Sequence, residues 1–97
     1  MESPAQILPF RRGDDDTLWA VMANLGRRQR VAEVFRNREA AQRDMAWRAE
    51  QVRSYADFLR RQGQPVPSYS LARIRRADLP RKWKPLPALG FLRGQII

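Results

Sequence analysis

The chain has 97 residues, a net charge of +9, no cysteine and no histidine. That length fits one small domain with a limited core, and the missing residue types exclude disulfide staples, Cys/His zinc sites and the commonest general base at neutral pH. A cysteine-free chain makes a cytoplasmic setting the natural expectation, and the longest clean apolar run, Leu18 to Ala23, is far short of the roughly 20 residues of a membrane-spanning helix.

Residues 1–16 read as an N-terminal arm. Pro4 and Pro9 discourage regular structure, and Arg11-Arg12-Gly13-Asp14-Asp15-Asp16 reverses its charge within six residues. The aspartates form the one acidic cluster. Consecutive carboxylates rarely converge on a single ion, so a solvated charge run is the expected state and no metal site is assigned. Thr17 to Asn24 is apolar and rich in strand-forming types, and Gln29 to Phe35 reads as its return partner. Asn24-Leu25-Gly26-Arg27-Arg28 supplies the turn, with Gly26 free to take positive φ. A β-hairpin over 17–35 follows, with Arg27, Arg28 and Arg30 at or near its tip.

The clearest element is a helix over 38–62. Asn37 is a good N-cap, Glu39 places a negative charge in the first turn, and Gly63 with Pro65 beyond it makes a stop. Ala41, Met45, Ala49, Val52, Ala56 and Leu59 form one apolar stripe. Glu39–Arg43, Asp44–Arg48 and Asp57–Arg61 have the spacing and order of i,i+4 ion pairs on the solvent side. Trp47 lies off the stripe, where it either extends the edge of the core or anchors a contact.

After a Pro-rich connector, residues 69–76 are expected to add a third antiparallel strand. A helix capped by Ser70 is the alternative, but two strands alone make a poor sheet for a long helix to cover. The fold class is therefore α+β, with one domain over 17–76 whose expected core is Leu18, Val21, Val31, Val34, Phe35, Met45, Ala49, Val52, Ala56, Leu59 and Ile74. Residues 77–97 read as a basic, Pro-rich extended tail, docked on the domain or on a partner.

Charge is unevenly spread. Residues 1–35 hold five basic and five acidic side chains, whereas residues 64–97 hold seven basic and one acidic. Such asymmetry points to an anionic partner: nucleic acid, or an acidic protein surface within a larger complex. The expected contact residues are Arg73, Arg75, Arg76, Arg81, Lys82, Trp83 and Lys84, then Arg27, Arg28 and Arg30. Cations neutralise phosphates and an indole stacks on a base. A blander role stands beside this one, in which Trp83 and Leu86 fold back to seal the sheet while the cations stay in water. No histidine activates a serine, and no Gly-rich phosphate loop is present, so we expect no catalytic residues, no cofactor and no small-molecule substrate. The expected function is a basic, non-enzymatic binding protein that engages nucleic acid or a nucleoprotein assembly. The alternative is a protein-binding inhibitor or adaptor, such as a phage or mobile-element inhibitor of the anti-CRISPR type, by analogy of size and composition alone.

Overall fold

The computed structural model describes residues 17–93. The predicted arm, with Asp14, Asp15 and Asp16, lies outside the described residues, as do residues 94–97 of the tail. The elements are β1 (Thr17–Leu25), β2 (Arg28–Phe35), a helix α1 (Arg38–Arg61) and β3 (Ser68–Arg75). Two short 3-10 turns follow, at Arg76–Asp78 and Gly90–Arg93. The strands form one antiparallel sheet in the order β2-β1-β3. This is the expected α+β architecture, and the strand alternative for the third element is the one the chain adopts.

β1 and β2 join through Gly26, whose φ of 61° is the left-handed conformation that a side chain would disfavour. The pairing of β1 with β2 then slips by one residue. Val21 faces Glu33 but Met22 faces Val31, so Ala32 is the extra residue of a β-bulge. β3 pairs with β1 without a break, from Thr17–Arg75 to Asn24–Ser68.

The helix ends are set by the residues the sequence nominates. Asn37 accepts the Ala40 N–H through Oδ1 at 2.7 Å. At the other end the Gly63 N–H reaches the Arg60 carbonyl and the Gln64 N–H reaches that of Leu59, with Gly63 at φ 70°. Those two bonds are a Schellman stop.

One face of β1, carrying Trp19, Val21 and Ala23, meets the helix. Val21 and Ala23 pack with Ala32, Ala41 and Leu86, and Trp19, Phe35, Met45, Tyr69 and Leu71 close around them. A second cluster, Val52 and Leu59 with Tyr55, Val66, Tyr69 and Leu89, sits nearer the helix C-terminus. Tyr69 joins the two. The core differs in composition from the expected one. Alanines at 20, 23, 32 and 41 are fully buried, while Val31, Val34, Phe35, Met45, Ala49, Ala56 and Ile74 are only partly so. Leu18, Val21, Val52 and Leu59 are buried as expected. On the helix side Ala23, Ala32 and Ala41 let helix, sheet and tail approach closely around Val21 and Leu86.

The tail supplies part of this core. Pro80 and Trp83 lie beside Met22 and Val31, on the face of the sheet opposite the helix. The chain then rounds the outer edge of β2, where the Leu86 N–H donates to the Ala32 carbonyl at 2.8 Å. Beyond it Leu86 and Ala88 are buried, and Leu89 packs against the second cluster. A regular edge strand turns only one of two successive carbonyls away from its neighbour. Here both Val31 and Ala32 serve the tail, which the bulge at Ala32 permits.

Candidate functional site

The tail's path across β2 brings together two basic segments that are 52 to 54 residues apart in sequence. Arg30 donates through Nη2 to the Lys84 carbonyl at 2.6 Å. The Trp83 indole N–H donates to the Val31 carbonyl at 2.7 Å. Between the strand and the tail lies an open groove of about 600 Å³, lined by Met22, Gln29, Arg30, Val31, Pro80, Lys82, Trp83 and Lys84. Its floor is apolar, made by Met22, Val31, Pro80 and the indole. Its rim carries three cations, Arg30, Lys82 and Lys84, and among the described residues no carboxylate lines it.

The ten expected contact residues therefore separate into groups. Arg30, Lys82, Trp83 and Lys84 line the groove, and Arg81 is an exposed neighbour in sequence. Arg27 and Arg28 are exposed at the hairpin turn, just before Gln29. Arg73 lies elsewhere. It pairs with Trp19 across the sheet, and its guanidinium sits over the Trp19 ring at 4.9 Å from the centroid. Arg38 of the helix approaches the same ring at 5.6 Å. Attraction between a cation and the negative face of a ring accounts for both positions. Arg75 is exposed, with Nε 3.8 Å from Asp78, the single acid of the last third of the chain. Arg76 is exposed in the adjoining 3-10 turn.

Trp83 and Leu86 do fold back onto the sheet, and the groove is a product of that folding. The sealing role and a binding role are thus held by one arrangement. The indole's polar edge is used by Val31, while part of the side chain stays exposed along the groove.

Arg48 is the feature the sequence reading misses. Its i,i+4 spacing to Asp44 suggests a solvated pair, and the pair exists at 2.7 Å. The arginine is nonetheless only 4% exposed. Its Nη1 donates to the Leu86 carbonyl at 2.5 Å, and Nη2 lies 3.9 Å from Glu33. One guanidinium thus ties helix, β2 and tail together, satisfying a charge that burial would otherwise penalise heavily. The signal available in the sequence is its position, since Arg48 falls in the apolar stripe between Ala41 and Val52. Asp57 makes its ion pair with Arg60 at 3.1 Å in place of the expected Arg61.

Among the described residues no cluster of acidic side chains could hold a metal ion, and no helix is long and apolar enough to cross a membrane. The chain matches no protein-family model, no curated protein and no solved structure. Any functional reading of the groove therefore rests on its own chemistry.

Proposed function

We propose that the protein is a non-enzymatic module that binds nucleic acid through the groove between β2 and the tail. The observation that carries this reading is the convergence of Arg30, Lys82 and Lys84 around one apolar floor, with no carboxylate lining it among the described residues. Phosphate neutralisation by such cations releases counterions, which makes the affinity fall with salt. If each of the three meets one phosphate, log K against log salt has a slope of about −2 on a single strand, with further cations adding to it. A titration of a labelled oligonucleotide between low and moderate salt tests this. A flat salt response sinks the reading. Lys82→Glu with Lys84→Glu should weaken binding further, and both side chains are exposed, so the fold is not at risk.

A specific observation supports a second reading, a protein partner. Trp47 is 53% exposed and Phe58 46% exposed. Eleven residues apart, they fall on the same flank of the helix, and aromatic anchors of this kind dominate protein interfaces. A partner retained in a nuclease-treated pull-down, and lost on Trp47→Ala with Phe58→Ala, would favour it.

A further inference from the structure

We infer that the groove reads unpaired nucleotides: a base of single-stranded nucleic acid lies against Met22, Val31, Pro80 and Trp83 while its flanking phosphates meet Arg30, Lys82 and Lys84. This deepens the nucleic-acid reading and rests on it.

The argument begins from a mismatch between the groove and a duplex. A duplex shows a protein its phosphates and the edges of its bases, and the flat faces are stacked inside. A purely cationic surface is sufficient to hold it. Here the cations stand around a floor of thioether, isopropyl, pyrrolidine and indole groups. Such a floor gives a duplex little to contact beyond a thymine methyl group or a sugar, whereas an unstacked base has two apolar faces to bury. Single-strand binders combine these two elements, a cationic track for the backbone and an aromatic or apolar platform for the base.

Size and placement agree with this. A groove of about 600 Å³ has room for a nucleobase and part of its sugar, and falls in the usual range of pockets that take small ligands. It is open to solvent and not enclosed, as a strand that continues beyond it requires. The platform is also held in place. The Trp83 N–H is tied to Val31, and the Lys84 backbone to Arg30, so the indole, the Arg30 guanidinium and the tail backbone are set before any ligand arrives. Preorganisation of this kind lowers the ordering cost of binding. An acidic peptide would satisfy the same three cations, but its charged side chains have no flat apolar face to place on the floor.

The test compares three ligands of one length by fluorescence anisotropy at a single salt concentration. They are a mixed-sequence single strand, the duplex of that strand, and an abasic strand with the same phosphates and no bases. Both DNA and RNA versions of the single strand are measured. The expected result is that a base-bearing strand binds at least about fivefold more tightly than the abasic strand. It should also bind more tightly than the duplex, although the duplex carries twice the charge. Met22→Ala should reduce affinity for the base-bearing strand several-fold and so narrow its advantage over the abasic strand. Since the ligand comparison uses the unaltered protein, it stands even if the variant folds poorly. Salt-sensitive binding of equal strength to the abasic and base-bearing strands, or tighter binding to the duplex, overturns the inference and leaves the broader nucleic-acid reading intact. Competition by a poly-glutamate peptide at equal charge as effective as that by the single strand overturns it as well. If no oligonucleotide binds, both readings fall together.

Discussion

Arg48 on the helix donates to the backbone carbonyl of Leu86, 38 residues further along, at 2.5 Å. The contact is buried, and it fastens the tail to the side of the sheet that the helix covers. Replacing Arg48 with Met keeps much of the packing volume but leaves the Leu86 carbonyl and the two carboxylates without their shared donor. Asp44 and Glu33 are partly exposed and recover some hydration. The expected loss is therefore about 2–3 kcal/mol, at or below the low end for breaking a fully buried pair. Arg48→Lys should recover little of it, because an ammonium cannot present the same fork of donors. Urea unfolding midpoints of the three proteins check this.

Trp83→Phe removes the donor to Val31 while keeping an aromatic ring in the groove. The tail should loosen locally without unfolding the sheet. Hydrogen exchange at the Leu86 amide, which donates to Ala32, is the sensitive readout, and it should speed up while amides of β1 keep their protection. Equal acceleration throughout the sheet would mean that the tail and the sheet unfold as one unit.

The two ends of the helix should respond by different mechanisms. Asn37→Ala removes the acceptor for the Ala40 N–H and should cost about 1 kcal/mol, whereas Asn37→Asp should retain most of it. Gly63→Ala meets no atom within 4 Å of the added methyl group, so its cost is backbone strain at φ 70° alone, about 1 kcal/mol. Thermal unfolding of the variants, singly and together, should show the two effects adding, because the sites are far apart and share no partner.

Tyr69 gives an alkaline signature. Burial raises its pKa above the ordinary 10.0, the nearby Arg48 opposes that shift, and Asp44 adds to it. Below pH 10 both the folded and unfolded chains keep the phenolic proton, and the stabilising effect is complete. Above it the unfolded chain releases its proton first, so stability falls as pH rises, until the folded Tyr69 ionises in turn. Urea midpoints between pH 8 and 11 should therefore drop more steeply for the wild type than for Tyr69→Phe. The difference between the two isolates Tyr69 from other groups that ionise at alkaline pH. Parallel profiles would show that the phenol is not effectively buried.

Local chemistry made much of this fold legible in the sequence. Asn37 and Gly63 bound the helix because capping and positive φ are properties of one or two residues. The hairpin follows from Gly26 between two apolar runs. Long-range placement was not legible in the same way. The sequence offers a folding-back role for Leu86 and places Arg48 in the apolar stripe, but no local pattern says that these two meet. The candidate site divides along the same line. Lys82, Trp83 and Lys84 stand out as a basic run around an indole, and Arg30 as a hairpin cation. Their convergence depends on the bulge at Ala32, which leaves no mark in composition. Arg73 was grouped with the tail by sequence proximity, but strand pairing sends it to Trp19 instead.

The tail's late position in the chain carries a consequence for the order of assembly. The hairpin and the helix close over short stretches of sequence, whereas the bonds from Trp83 to Val31 and from Arg30 to Lys84 close loops of 52 and 54 residues. Pairing of β3 with β1 closes loops of comparable length, so length alone does not order the two, but the tail has no site to dock on until β2 and its bulge are in register. We expect the groove to be the last part of the molecule to form. A refolding experiment in which oligonucleotide binding recovers later than helical circular dichroism would show it, and simultaneous recovery would refute it. A nascent or partly folded chain would then carry its full charge yet lack the cleft. Engagement of a strand would be deferred until folding is finished.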